Sequence, residues 1–405
     1  MKLKLKKLVL LLFILLAHTS FVFGYSEKPA IQSQAAILID NKTGKILYSK
    51  NENEKMYPAS TTKIVTAILT LENCHLDELV TISYDTVMSI PDGYSSASLQ
   101  IGEQLTIEQL LQLLLVHSAN DAANALAEYV GGSVESFVSM MNTKTHELGL
   151  SHTHFTNTFG MHDENHYTTA QDLATIMKYC IKNETFRKLS GSASCAIPAT
   201  NKYDIRRYAS TNELILPNNK NYYPYLTCGK TGYTSQAGDC LVSCSYKDNL
   251  ELICVILGGK TIENTSTRFS ETKDLYEYGY NNYSIKTLVN TDDVVTQIEI
   301  PNATKDTKNL DLLASTSISA LLENTLSKEE IPFEIKLKEN IKAPIEPFDN
   351  LGTISYTVDG THYEADLIAS HSVEKSKLLK YILEIGIAFL ILILIIKLIL
   401  DKRKK

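Results

Sequence analysis

The chain has 405 residues, enough for two ordinary domains, each with its own core. Hydrophobic residues at 44% and charged residues at 21% exclude a disordered chain. A net charge of -7, with no basic stripe outside the two termini, excludes a nucleic-acid partner.

The first 24 residues read as a secretory signal. Four lysines lie within Met1 to Lys7, an apolar run follows from Leu8 to Ala17, and Val22-Phe23-Gly24 supplies small or branched residues for cleavage near Gly24. The run is too short for a membrane anchor, which needs about 18 apolar residues. Cys74, Cys180, Cys195, Cys228, Cys240, Cys244 and Cys254 include no CxxC pair and no zinc-type spacing, so no metal site is expected. The strand-like settings of Cys240, Cys244 and Cys254 read as core positions.

Residues 25–283 form the first expected domain. Ala36–Ile39 and Lys45–Tyr48 flank the turn Asp40-Asn41-Lys42-Thr43-Gly44 and predict a β-hairpin. A helix is expected to begin near Pro58, a residue suited to a first turn. It carries Ser60-Thr61-Thr62-Lys63, where i and i+3 spacing sets the Ser60 hydroxyl and the Lys63 ammonium on one face. A serine hydroxyl becomes a nucleophile when a base takes its proton, and a lysine serves as that base once burial and nearby positive charge lower its pKa. The apolar run Ile64–Leu69 supplies such burial.

Thr106 and Gln109 form a capping-box pattern, and Leu110, Leu111, Leu114 and Leu115 repeat at helical spacing behind it. Ser118-Ala119-Asn120 follows, a hydroxyl and an amide placed to line a cleft from a loop. Lys230-Thr231-Gly232-Tyr233-Thr234 opens a predicted strand. Its lysine and hydroxyl suit a carboxylate, and Gly232 leaves room for a substrate backbone to lie alongside. Leu241–Ser245 and Leu252–Ile256 read as strands around the turn Lys247-Asp248-Asn249, and Ser270–Tyr280 reads as a helix. Strands, then helices, then strands again give a mixed α+β domain whose distant segments share one sheet.

Residues 284–370 alternate apolar and polar in Val295–Ile300 and Phe333–Leu337, and Asp359-Gly360 marks a hairpin. They are expected to form a small β-rich domain without a nucleophile. Residues 378–400 are expected to be a transmembrane helix, since Ile385 to Ile396 has no polar side chain and Lys397 sits close enough to the end to snorkel. The basic tail 401–405 then stays cytoplasmic.

Ser-x-x-Lys, Ser-x-Asn and Lys-Thr-Gly in this order resemble the triplet of serine penicillin-recognising enzymes. The surroundings Tyr57–Lys63, His117–Ala123, His166–Ala174 and Gly229–Thr234 are similar to the low-molecular-mass D-alanyl-D-alanine carboxypeptidases, peptidase family S11. The resemblance implies a β-lactamase/transpeptidase-like fold, an antiparallel sheet with a helical cluster, and no cofactor. It implies that Ser60 forms an acyl-enzyme, Lys63 accepts its proton, Ser118 relays a proton and Asn120 holds the acyl-side amide. Lys230 and Thr231, with Arg268 at the rim, bind the terminal carboxylate; the N–H groups of Ser60 and Tyr233 bind the oxyanion. The implied partners are pentapeptide stems of peptidoglycan and β-lactam antibiotics, met outside a cell membrane. Two other readings of the same motifs are a serine β-lactamase, for which Glu164 is the candidate deacylating carboxylate, and a non-catalytic peptidoglycan-binding envelope protein.

Overall fold

A computed structural model describes residues 27–403, residue 264 excepted, so the expected signal segment 1–24 lies outside the described residues. The chain divides into two compact units, one ending at Ser284 and the other beginning at Ile285.

The first unit is built on a five-stranded antiparallel sheet: β1 (Ala35–Asp40), β2 (Ile46–Lys50), β3 (Leu226–Thr234), β4 (Gly238–Lys247) and β5 (Leu250–Gly259), in the order β2-β1-β5-β4-β3. All six residues of β1 are buried, which explains why Ala-Ala-Ile-Leu-Ile reads as a continuous apolar run and not an alternation. The expected hairpin forms, its turn closed by Asp40, whose Oδ2 accepts from the Thr43 N–H and hydroxyl at 2.8 and 2.6 Å. Helix α1 (Lys63–Asn73) buries its first eight residues, Lys63 to Thr70, in a cluster with α2 (Asn120–Gly131), α3 (Ala170–Cys180) and the inner faces of the strands. Helix α4 (Thr267–Asn282) packs on β5 and β4, where the Tyr276 hydroxyl meets the Ser243 Oγ at 2.8 Å. Cys240, Cys244 and Cys254 are all buried in the strands.

Two local details differ from the sequence reading. A helical stretch does start beside Pro58 as expected, with Pro58 as its N-cap and not a residue of its first turn. The stretch is a single 3-10 turn, Ala59–Thr62, which Ala59 enters at φ 47°, and α1 begins only at Lys63. The leucine-rich helix starts at the expected capping box, but it runs from Ile107–Gln112 into a π-helical turn, Leu113–His117.

The second unit carries the antiparallel sheet β6 (Val294–Glu299), β7 (Asn309–Ala314), β8 (Phe333–Leu337), β9 (Asn350–Val358) and β10 (Thr361–Ala369), in the order β6-β7-β10-β9-β8. A two-stranded sheet of Tyr283–Val289 and Ile318–Glu323 accompanies it, and a second apolar core holds the unit together. The hairpin predicted at Asp359-Gly360 joins β9 to β10, with φ 48° and 78° at its two central residues. Segment 378–400 lies within one helix, α5 (Leu378–Arg403), yet among the described residues no helix is long and apolar enough to cross a membrane. Its uncharged run, 385–396 between Glu384 and Lys397, rises about 18 Å at 1.5 Å per residue, against about 30 Å of hydrocarbon.

Candidate active site

Three segments distant in sequence converge. The 3-10 turn presents Ser60 half-buried, while Lys63, one turn on, is fully buried. The Lys63 Nζ lies 2.9 Å from the Ser60 Oγ, 2.7 Å from the Asn120 Oδ1 and 3.0 Å from the Phe159 carbonyl. Burial holds the Lys63 pKa well below the ordinary lysine value; the nearby Lys230 cation depresses it further, and Asp121 opposes both. A neutral lysine has two N–H bonds and one lone pair. Here the two N–H groups suit Asn120 and Phe159, both pure acceptors at the contacting atom, which leaves the lone pair facing the Ser60 hydroxyl.

Ser118 closes the π-helical turn at φ 65°, a left-handed conformation that aims its side chain across the cleft. Asn120 opens α2, and the next residue, Asp121, fixes the approach to it. The Asp121 carboxylate accepts from the Ser96 hydroxyl at 2.6 Å and from the Ala97 and Leu99 N–H groups at 3.0 Å each. The Lys230 Nζ on β3 donates to the Ser118 Oγ and to the Thr231 carbonyl, both at 2.9 Å. Its pKa falls to about 7, chiefly through burial and secondarily through the Arg268 charge. The Thr231 hydroxyl meets that of Thr211 at 2.6 Å.

Edge strand β3 runs close to the 3-10 turn. A methyl group at Gly232 would lie 2.9 Å from the Ser60 N, 3.0 Å from the Pro58 O and 3.0 Å from the Thr61 N, all backbone atoms that cannot turn aside. Gly232→Ala is therefore expected to push β3 off the serine and slow acylation by penicillin about 100-fold or more. Stopped-flow acylation checks this. A rate within threefold of wild type means that the strand and turn are not held at this spacing.

The Arg268 Nη1 donates to the Gly232 carbonyl at 2.8 Å and lies 3.4 Å from the Asp239 carboxylate, with its guanidinium over the Phe269 ring. This arginine, which the resemblance sets at the rim beside Lys230 and Thr231, is mostly buried and ties β3 to β4 and α4. Tyr233 is 63% exposed and lines an open cleft of about 480 Å³ with Ser60, Asn120, Gly160, His162 and Gln236.

The sequence matches the D-alanyl-D-alanine carboxypeptidase family over residues 24–261. The chain belongs to this family. Residues 283–375 match the C-terminal domain of penicillin-binding protein 5. The chain is 32% identical to the D-alanyl-D-alanine carboxypeptidase DacF of Bacillus subtilis, over 87% of this chain and 89% of that one. DacC of Escherichia coli is 29% identical over 89% of each. Penicillin-binding protein 5 from Haemophilus influenzae superposes with a TM-score of 0.64 at 27% identity, over 86% of this chain and all of that one.

A carboxypeptidase of this family needs its turn held still, and several residues that the sequence reading passed over do so. The Asn157 Oδ1 accepts from the N–H groups of Phe159, Gly160 and Met161, which fixes the carbonyl that Lys63 uses. Gly160, at φ 90°, lies against the Ala59 carbonyl, where a side chain could not fit. The buried His166 accepts from the Thr156 N–H at Nδ1, so its proton is on Nε2, 2.8 Å from the Thr62 Oγ1; that hydroxyl in turn donates to the Ala59 carbonyl. Burial drives the His166 pKa down to about 3, so this relay stays neutral across the physiological range. Asn157 could have been found from the sequence as an Asx-type turn residue, since its partners lie within four positions, whereas Thr211 carries no local signal because Thr231 is twenty residues away.

Proposed function

We propose that this enzyme removes the terminal D-alanine from peptidoglycan stem pentapeptides through an acyl-enzyme on Ser60, limiting cross-linking of the wall. The contact that carries the reading is Lys63 to Ser60, a buried lysine with a lowered pKa 2.9 Å from a half-exposed hydroxyl. As the Ser60 Oγ attacks the carbonyl carbon between the two D-alanines, its proton passes to the Lys63 Nζ. The N–H groups of Ser60 and Tyr233 receive the oxyanion, a role that the close approach of Gly232 to Ser60 supports. The C–N bond then breaks. Ser118, bonded to Lys230, passes its proton to the departing amine and is replenished with the proton that Lys63 took from Ser60. Water then adds to the ester carbonyl as its proton passes to the neutral Lys63, which returns it to the Ser60 Oγ when the C–O bond breaks.

Asn120 holds the acyl-side amide, and Lys230 with Thr231 attracts the terminal carboxylate. Arg268 acts through Gly232 by fixing β3. A β-lactam meets the same serine, and its opened ring stays attached as the acyl group. The β-lactamase reading needs a deacylating carboxylate at the ester; Glu164, its candidate, is exposed to solvent.

The lysine-rich, apolar start of the chain supports export, with cleavage near Gly24, and puts residues 25–283 outside the cytoplasm as the catalytic domain. Residues 284–370 then serve as a spacer. Helix α5 fastens the chain to the membrane, since its side chains from Tyr381 to Ile396 include large apolar groups about half exposed. Incubation with purified pentapeptide peptidoglycan, followed by mass analysis, is expected to show stems shortened by one alanine. Unshortened stems together with rapid, repeated hydrolysis of penicillin would establish the lactamase in its place.

A further inference from the structure

We infer that β8, Phe333–Leu337, is a self-complementary edge through which two copies of this chain pair antiparallel about Ile335. In the second unit β8 is the last strand of its sheet, bonded to β9 from Phe333↔Tyr356 to Leu337↔Gly352. Among the described residues, no strand pairs with its other side. A free edge is a row of unpaired backbone donors and acceptors.

The side chains on this edge are unevenly finished. Phe333, Ile335 and Leu337 share one face by strand alternation. Ile335 packs on the second core, and the Phe333 ring lies 5.7 Å from that of Tyr356. Even so, Phe333 remains 55% and Leu337 39% exposed. Glu334 and Lys336 occupy the opposite face, both exposed.

The sequence Phe-Glu-Ile-Lys-Leu then selects both the partner and the register. Antiparallel pairing centred on Ile335 sets Phe333 against the partner's Leu337 and Glu334 against the partner's Lys336. Each cross-strand pair is thus apolar with apolar or acid with base; these two pairs each occur twice, and Ile335 meets its own copy on the axis. A slip of one residue sets Ile335 against a charge. A slip of two residues in either direction sets Glu334 against its own copy, or Lys336 against its own copy. Only the central register satisfies every position, and like every antiparallel pairing of identical strands it has two-fold symmetry.

A lysine on an edge strand can also serve to keep strands apart, and charge reversal separates these roles. In sedimentation velocity of the full chain in detergent, wild type is expected to show a concentration-dependent monomer–dimer equilibrium. Lys336→Glu opposes two acids across each pair and should raise the dimer Kd about tenfold or more. The double variant Glu334→Lys, Lys336→Glu restores complementary charges and should return the Kd to within about twofold of wild type. Penicillin labelling of each variant confirms that the chain is folded. Wild type that stays monomeric up to about 0.5 mM, far above the micromolar range of ordinary transient pairs, overturns the inference. So does a double variant no better than the single one, or dimerisation that all three share equally.

Discussion

Ser60→Ala is expected to abolish covalent labelling by fluorescent penicillin and to cut D-alanine release by about 10⁴-fold or more, since no ester can form and only positioning and oxyanion contacts remain. The fold should survive. Ser60 is half-buried, and its removal leaves Lys63 bonded to Asn120 and Phe159, so the stability change should stay within about 1 kcal/mol. Thermal melting beside the labelling assay separates lost chemistry from lost structure. The informative failure is retained labelling. Among the described residues, Ser118 is the other serine hydroxyl with a buried lysine in contact, 2.9 Å from the Lys230 Nζ, whose pKa is lowered to about 7. An adduct mapped to Ser118 in the variant would move the nucleophile across the cleft and turn Lys63 into a structural cation.

Features governed by local rules were legible before the structure. The 36–48 hairpin follows from Asp40 and Gly44 in the turn, the start at Thr106 from a reciprocal cap, and the β9–β10 hairpin from Asp359-Gly360. In each, the residues that decide lie within a few positions of one another. The three motifs also announced the chemistry, because the residue types needed for acyl transfer keep their order along the chain. What escaped depends on contacts that local pattern does not encode. The extra residue of the π turn before Ser118, which packs against α1 and the Arg206–Ala209 strand, is not encoded in the leucine spacing. The ion pair of Arg268 with Asp239 was not legible, because Asp239 lies on β4 and only the fold brings the two together. In the last helix the run 385–396, apolar on every side, was legible, while Glu384 and Lys397 bound that run at about 18 Å, short of a full hydrocarbon core.

Lys63→Arg tests the base directly and is expected to slow acylation by about 10²–10⁴-fold, the usual worth of a positioned general base. Arginine keeps the positive charge and can still donate to Asn120 and Phe159, but with a pKa above about 12 it has no lone pair to accept the Ser60 proton. If Lys63 acted only as a fixed cation, the exchange would cost far less, so the size of the loss separates the two roles. The pH profile supplies the second measurement. Acylation should rise with pH through the lowered Lys63 pKa, because below it the amine is protonated and the lone pair is gone. Above about 7, Lys230 loses its proton and its attraction for a substrate carboxylate, so kcat/KM should fall again and the profile should be bell-shaped. A substrate with its terminal carboxylate amidated should lose the alkaline limb and keep the acidic one. Lys63→Arg, measured on the carboxylate substrate, should do the reverse: the acidic limb disappears with the base, while the fall above about 7 remains with Lys230.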